Sequence, residues 1–198
     1  MTLRVLQELK DKKIMVVYIR PNVKSLSGNK KLLERTTFGI LQEYARSGLV
    51  EEFCIVSNDA VAQIIGNLPV KGYFQKLNEV ISTTIHFINL FERSEYIYGS
   101  VDERIEVSRI CTVGLLNPET SEEKMFYDLE LAREKSYFYA FHKDKLLKES
   151  NLIGAIEDQI DEKKEEWLTR ISYRIYSTEY EGDYGYTTHR TSKVQELQ

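Results

Sequence analysis

Residues 14–57, IMVVYIRPNVKSLSGNKKLLERTTFGILQEYARSGLVEEFCIVS, decide the fold class of this chain. Two apolar runs rich in β-branched residues, 14–20 and 51–57, are typical of strands that are buried on both faces. Between them the apolar residues recur at helical spacing, and Gly48 stands where a helix ends. A strand, a helix and a second strand in this order predict a parallel pair joined by a right-handed crossover.

In further segments the apolar residues recur at the spacing of a strand or of a helix. Period-two alternation predicts strands, and three–four spacing predicts helices. The strands are predicted over 104–116, 137–143 and 170–180, and the helices over 77–92, over 117–136 and from Leu152 onward.

These elements predict an α+β (or α/β) fold built on one mixed sheet with helices on one or both faces. We expect four to six strands, with 14–20 and 51–57 at the centre of the sheet. The length of 198 residues indicates a single compact domain. We assign it residues 1–181 and interpret residues 182–198 as a polar, flexible C-terminal tail.

The charge balance and the cysteines restrict the function and the compartment. A net charge of −4 argues against binding to a nucleic-acid backbone, which needs a dense basic face. Cys54 and Cys111 have apolar neighbours, which predicts two buried thiols in a reducing compartment. We find no metal-ligand spacing, no cofactor motif, no secretory signal and no membrane span, so we expect a cytoplasmic protein without a cofactor.

The loop after the first predicted strand is a candidate anion site. It offers serines and a lysine pair beside a helix N-terminus, where unpaired amides favour anions. The single glycine does not make a nucleotide-binding motif, so a simple capped connection with solvated lysines is the alternative. The candidate ligands are Arg20, Ser25, Ser27, Lys30 and Lys31.

The segments VVYIR, LQEYARSGL and EEFCIVSND, within residues 13–59, resemble the start of a serine recombinase catalytic domain. Tyr18 and Arg20 match the first two positions of the Tyr-x-Arg-x-Ser motif of that family. Asn22 stands in the place of the nucleophilic serine, and Ser25 and Ser27 are displaced from it by three and five residues. The resemblance implies a similar strand–helix–strand arrangement that acts on a phosphate-bearing ligand or nucleic acid.

Tyrosine is unusually frequent, with 13 residues, and several lie close together near the C-terminus. Tyrosine buries much area at low entropy cost and keeps a polar group, so such a cluster favours a protein interface. The alternative is an edge strand whose tyrosines pack on their own domain. The candidate partner-binding residues are Tyr176, Tyr180, Tyr184 and Tyr186.

Three hypotheses of function follow. The first is a non-enzymatic regulatory or adaptor domain that binds another macromolecule, in particular a protein, because no convergent catalytic motif is found. The second is an enzyme or sensor that binds a phosphate-bearing ligand through residues 18–37. The third is self-association through the apolar helix 77–92, which would make the chain a structural subunit.

Overall fold

The computed structural model describes Val5, Leu6, Glu8 and Leu9 and residues 12–22, 26–67, 69–164 and 169–196. The strands are β1 Met15–Arg20, β2 Glu52–Ser57, β3 Tyr98–Ser100, β4 Ile110–Leu116, β5 Glu123–Met125, β6 Glu134–His142, β7 Arg170–Thr178 and β8 Tyr184–Thr191. The helices of eight or more residues are α1 Gly28–Arg46, α2 Asn58–Ile65, α3 Tyr73–Arg93 and α5 Leu152–Glu162, and a shorter helix is α4 Lys143–Lys148.

The described strands form one mixed, eight-stranded sheet in the order β1-β2-β4-β8-β6-β7-β3, with β5 paired to β4. Strands β1, β2 and β4 are parallel, and β6 and β7 are parallel to each other. Strand β8 is antiparallel to both β4 and β6, so it joins two groups of strands that run in the same direction. The predicted fold class is confirmed, with more strands than the four to six expected.

Helices cover both faces of the sheet. On one face, Phe38 and Leu41 of α1 pack on alternate residues of β2, including Phe53. On the opposite face, Val61 of α2 and several residues of α3 pack on Cys54 and the other alternate residues. Full burial of each large apolar side chain contributes about 1.5–3 kcal/mol, so this alternation holds β2 between two helical layers. Helix α5 covers β6 and β7 on the α1 side.

The position of β1 corrects one expectation. We expected residues 14–20 at the centre of the sheet, but β1 is its end strand. Its apolar residues are therefore buried only in part: Val17 is 36% exposed, whereas its register partner Cys54 is fully buried.

The C-terminal segment corrects a second expectation. Residues 184–191, which we interpreted as part of a polar tail, form β8 in the middle of the sheet. Thr187 and Thr191 are fully buried there, and Gln195 beyond the strand is 3% exposed. Threonine satisfies a strand's preference for β-branched side chains while it looks polar in sequence, which explains the error.

The segment 117–136 corrects a third expectation, because the structure places turns and two strands where we expected a helix. The Asn117 Oδ1 atom accepts hydrogen bonds from the backbone N–H of Glu119 (2.9 Å) and of Thr120 (3.2 Å). These bonds form an Asx-type turn, which competes with a helix start. The chain then pairs with β4 as β5.

Candidate functional site

The parallel strands end together at one edge of the sheet, which we call the carboxyl edge. Arg20, Ser57, Leu116, His142 and Thr178 are the last residues of β1, β2, β4, β6 and β7, and the strand directions place them all there. In open α/β sheets, ligands bind outside this edge, in the crevice where the connections leave neighbouring strands toward opposite faces. Strands β1 and β2 meet that condition, because α1 follows β1 on one face and α2 follows β2 on the other.

Helix α2 begins directly at this crevice. Ser57 is its N-cap, and the Ser57 Oγ atom accepts a hydrogen bond from the backbone N–H of Ala60 at 3.3 Å. The next two residues, Asn58 and Asp59, are half-buried. Neither side chain makes a hydrogen bond or ion pair within the described part of the chain. An amide and a carboxylate are therefore uncommitted at the end of β2, where the helix dipole also stabilises the carboxylate.

Sequence reasoning missed these two residues as candidate ligands, because asparagine and aspartate at the start of a helix are ordinary N-cap residues. The signal was present in the triplet Ser57-Asn58-Asp59, in which each residue is a good N-cap. Only one of three consecutive capping residues is needed at a helix start, so two remain available.

Helix α1 begins on the other side of the crevice. Ser27 is its N-cap, with an extended backbone and no side-chain capping bond, and its first turn contains no acidic residue. Lys30 and Lys31 are exposed in this first turn. The structure therefore brings three of the predicted anion ligands to one helix end, and Ser25 lies outside the described residues.

Arg20 is separated from those lysines by its burial. It is 6% exposed, and its Nε atom donates to Glu34 Oε1 at 3.0 Å. Its Nη1 atom donates to the Tyr127 hydroxyl at 3.4 Å, and the guanidinium lies 4.7 Å from the centre of the Phe38 ring. Because Glu34 neutralises its charge, Arg20 ties the end of β1 to α1 instead of facing the loop.

A cavity with a volume of about 610 Å³ lies farther along the carboxyl edge. It lies between the end of β4 and the start of β8, and its charged lining residues are Glu119, Glu122, Lys124 and Asp183. Lys124 is 3.8 Å from Glu122, and Asp183 is paired with Lys145. The excess of carboxylates opposes an anionic ligand, so the crevice between β1 and β2 is the better candidate for one.

At the opposite, amino edge, the buried Arg190 is paired with two carboxylates. The Nε and Nη2 atoms of Arg190 donate to Glu52 and to Glu92, each at 2.9 Å. Burial raises the pKa of the Glu52 carboxyl, but Arg190 and Arg104 outweigh it and leave that pKa below its ordinary value. This network holds β8, β2 and α3 together and offers no free charge for chemistry.

A third cluster lies on the sheet face between α1 and α5. The Glu123 Oε1 atom accepts a hydrogen bond from the Tyr137 hydroxyl at 3.1 Å, and Glu123 Oε2 lies 2.8 Å from His189 Nε2. Lys163 Nζ donates to the same carboxylate. Burial alone would raise the pKa of Glu123, but the bonds from His189 and Lys163 lower it to about 2. The cluster joins β5, β6, β8 and the end of α5.

The predicted partner-binding tyrosines are mostly part of the core. Tyr176 is 3% exposed, and its hydroxyl donates to the Phe91 carbonyl at 2.6 Å. Tyr186 is 8% exposed, and the hydroxyl of the half-buried Tyr184 donates to Thr178 Oγ1 at 3.0 Å. Tyr180, at 65% exposure, is the member of this set that faces solvent.

Helix α3, which covers the predicted self-association helix 77–92, turns its apolar face inward. Leu77, Ile81 and Ile88 are each at most 5% exposed and pack on the sheet. Self-association through this helix would need its outer face, where Leu90 is exposed. None of the helices that the structure describes is long and apolar enough to cross a membrane.

Among the described residues, no group of three or more His, Cys, Asp or Glu side chains is placed to hold a metal ion. Cys54 and Cys111 lie opposite each other on β2 and β4 as buried free thiols. Burial raises the pKa of Cys111 well above its ordinary value, so this thiol stays protonated and unreactive.

The sequence matches no protein-family model and no curated protein. The structure is similar to solved structures of one fold. These include an FtsZ dimer of M. jannaschii (TM-score 0.62, 10% identity, 94% of this chain and 57% of that chain). A two-stranded filament of TubZ-Bt has a TM-score of 0.64 at 14% identity, covering 95% of this chain and 54% of that chain.

A third similar structure is a GTPγS-form protofilament of TubZ from Bacillus thuringiensis serovar israelensis, with a TM-score of 0.60 and 15% identity. It covers 94% of this chain and 55% of that chain. The chain therefore has the α/β fold of FtsZ and TubZ, and it spans little more than half the length of these structures.

This likeness corrects the leading hypothesis of function and the resemblance to serine recombinases. The leading hypothesis, a non-enzymatic adaptor, was wrong: the similar structures include a two-stranded filament and a GTPγS-form protofilament of TubZ. The resemblance to serine recombinases was also misleading, because it rested on a strand–helix–strand unit that the FtsZ and TubZ fold shares. Asn22 stands where that family has its nucleophilic serine, which also argues against the resemblance.

Proposed function

We propose that this chain binds a guanine nucleotide at the crevice between β1 and β2 and that it self-associates into filaments. The observation that carries the proposal is the match of 94–95% of the chain to FtsZ and TubZ structures, among them a filament and a GTPγS-form protofilament. Since identity is only 10–15%, the site itself must be argued from this chain's own residues.

The crevice supports a nucleotide site through its position. It lies where the connections of two neighbouring parallel strands leave for opposite faces of the sheet, which is the usual ligand position in such folds. Two helix N-termini, those of α1 and α2, meet it from either side. Their partial positive charges favour an anionic ligand.

Asn58 and Asp59 give the crevice its base preference. The Watson–Crick edge of guanine presents two N–H donors beside one carbonyl acceptor. A carboxylate accepts from two donors, and an amide both donates and accepts, so these side chains complement guanine. Adenine offers one amino donor next to a ring acceptor, which a carboxylate would repel. We therefore assign guanine recognition to Asn58 and Asp59.

The phosphates would lie toward the first turn of α1. Ser27 offers an uncommitted hydroxyl, and Lys30 and Lys31 are exposed without an acidic neighbour in that turn. Contacts with exposed lysines are screened by water and salt, so they add little affinity. Base recognition at α2 is therefore the stronger part of the site.

A nucleotide titration combined with light scattering tests the proposal. GTP and GDP should bind the purified chain at least tenfold more tightly than ATP does, and GTP should increase scattering. Asp59→Ala should weaken GTP binding about tenfold or more, because hydrogen bonds to a charged group are worth about 1.5–3 kcal/mol. Asp158→Ala, on the exposed face of α5, is the matched control.

Equal affinity for GTP and ATP, or GTP binding that Asp59→Ala leaves unchanged, would refute the base site. Nucleotide binding with no change in scattering at any protein concentration would refute assembly while leaving the site intact.

A further inference from the structure

The sheet face between α1 and α5 contains a further cavity, with a volume of about 360 Å³. The chain between β5 and β6 forms one wall through residues 127–132, and Lys163 and Thr169 form the other. Lys135 of β6 and His189 of β8 line the cavity from the sheet. Its volume falls in the range of about 300–1,000 Å³ that is usual for small-ligand sites, and it shares no residue with the proposed nucleotide site.

Lys135 and His189 are register partners on antiparallel strands. Their Cβ atoms therefore leave the same face of the sheet, about 4.5–5.5 Å apart, and both side chains can reach one ligand group. Lys135 is half-buried, and its ammonium makes no hydrogen bond or ion pair with any residue that the structure describes. A half-buried cation without a counter-charge favours an anionic ligand at this point of the cavity.

The ring of His189 is oriented by Glu123. Its side chain is 12% exposed, and Nε2 lies 2.8 Å from Glu123 Oε2. Burial raises the pKa of Glu123, but the bonds from His189 and Lys163 lower it to about 2, so the charged carboxylate fixes the proton of a neutral imidazole on Nε2. Nδ1 is left for a ligand, and it becomes an N–H donor when the ring takes up a second proton. Tyr127 and Tyr137 also face this region, and burial raises the pKa of each hydroxyl, so both stay neutral.

The charges around the imidazole leave one surplus positive charge in the cavity. Lys163 lines the cavity but donates to Glu123, so those two charges cancel. Asp128 lines it too, at an exposed position where water screens its charge. Lys135 remains uncompensated, and a protonated His189 adds a second positive charge.

An apolar wall faces these donors. It is formed by Met125, Leu129, Leu131 and Ala132. Leu131 has a φ of +53°, a left-handed conformation that leucine seldom adopts, and it is 51% exposed. Strained backbone conformations recur at ligand-binding segments, and a ligand with an apolar part would cover this leucine.

We propose that this cavity binds a small organic monocarboxylate, whose carboxylate lies between Lys135 and His189 and whose apolar part lies against Leu129 and Leu131. This inference goes beyond the proposed function and does not depend on nucleotide binding. One surplus charge matches one carboxylate, whereas a phosphate ester carries close to two negative charges at neutral pH and would keep one of them unpaired. The apolar wall favours an organic anion over an inorganic one.

An NMR titration of the ¹⁵N-labelled full chain with hexanoate tests this inference, with the neutral hexanamide and inorganic phosphate as comparisons. Hexanoate should shift the amides of residues 127–135 and 189 and leave residues 26–31 and 57–60, at the nucleotide site, unchanged. It should bind at least tenfold more tightly than either comparison, because its carboxylate makes charged hydrogen bonds. The affinity should rise as the pH falls from 8 to 6, because binding is coupled to protonation of His189.

Three variants and one control locate the ligand. Lys135→Gln should weaken hexanoate binding about tenfold, the usual loss when a charged hydrogen-bond partner is removed. Lys148→Gln, at an exposed position of α4, should leave it unchanged. His189→Gln should remove the pH dependence. Leu131→Gly should weaken binding without lowering the melting temperature, because glycine accepts a φ of +53°, whereas a purely structural leucine would lose stability.

Circular dichroism checks that each variant is folded. Equal affinity for hexanoate and hexanamide, tighter binding of phosphate, or shift changes confined to the nucleotide site would overturn the inference. Hexanoate binding that Lys135→Gln leaves unchanged, or the absence of any shift change at millimolar hexanoate, would overturn it as well.

Discussion

The two edges of the sheet differ in how they use polar side chains. At the amino edge, Arg190 is paired with Glu52 and Glu92, and both Arg190 and Glu52 are buried. At the carboxyl edge, Asn58 and Asp59 have no hydrogen-bond or ion-pair partner within the described ranges. Buried charges that are fully paired hold elements in place, whereas uncommitted polar groups at a crevice are available for a ligand.

Variants can test whether the amino edge stabilises the fold and the carboxyl edge binds a ligand. Changes at the amino edge should affect stability strongly and ligand affinity only through folding. Changes at the carboxyl edge should affect affinity strongly and stability weakly. A variant that breaks this rule would show that the edges are not functionally distinct.

The largest effect is expected for Arg190→Ala. Removing the arginine leaves the buried Glu52 with only the more distant Arg104, at 3.7 Å, as a counter-charge, which should lower the free energy of unfolding by about 3–5 kcal/mol. Urea denaturation followed by circular dichroism measures this. Lys193→Ala, which breaks an exposed pair with Glu130, should cost at most about 1 kcal/mol and serves as the control. Equal losses for both variants would show that the amino-edge network is not the stronger one.

The next largest effects are expected for substitutions of two neighbouring residues at the start of α2. Ser57→Ala removes the helix cap and should cost about 1 kcal/mol of stability with little change in GTP affinity. Asn58→Ala should do the reverse, with a stability change within about 0.5 kcal/mol and GTP affinity several-fold lower. Thermal denaturation and calorimetric titration of both variants decide this. The opposite result would assign base recognition to Ser57.

A smaller effect is expected in the pH dependence of folding stability, through the Glu123 cluster on the sheet face. The pKa of Glu123 is about 2, below its ordinary value of 4.5, so its carboxylate favours the folded state. That stability is complete above pH 4.5 and is lost as the pH falls toward 2. Because water screens a partly accessible group, its size should be on the order of 1 kcal/mol.

Glu123→Gln should therefore remove this part of the pH dependence, as measured by urea denaturation between pH 2 and pH 7. Glu122→Gln, at an exposed neighbouring position, should retain it. An unchanged acid transition in Glu123→Gln would mean that another carboxylate controls it.

The smallest effect is expected for Lys30→Ala combined with Lys31→Ala. Both side chains are exposed, so the free energy of unfolding should change by at most about 0.5 kcal/mol. GTP affinity should fall less than tenfold, and the loss should shrink as salt is raised, because exposed charges are screened. Titrations at low and high salt provide the test. A loss larger than that of Asn58→Ala would place the main contacts at α1.

The first half of the fold was accessible from the sequence because its signals are local. The strand–helix–strand unit of 14–57 is predicted by the spacing of its apolar residues alone, and β1, α1 and β2 confirm it. The edge position of β1 was not accessible, because it depends on strands that are distant in sequence. Strand β8 was missed for the same reason: its partners β4 and β6 supply the burial that its threonines alone do not predict.

The candidate site was accessible only in part. Composition pointed to the α1 end of the crevice through Ser27, Lys30 and Lys31. It could not show that Arg20 is buried against Glu34, since that pair joins a strand end to the second turn of a helix. Nor could it show that α1 and α2 leave the sheet on opposite faces, which is what makes the space between β1 and β2 a crevice.

The most direct test of the central claim is an NMR titration of the ¹⁵N-labelled chain with GTP, and with ATP as the comparison. The account predicts amide shift changes for GTP at residues 57–60 and 26–31, with weaker changes for ATP and none around Arg190. Shift changes centred on the amino edge, equal changes for both nucleotides, or no change at millimolar GTP would contradict it.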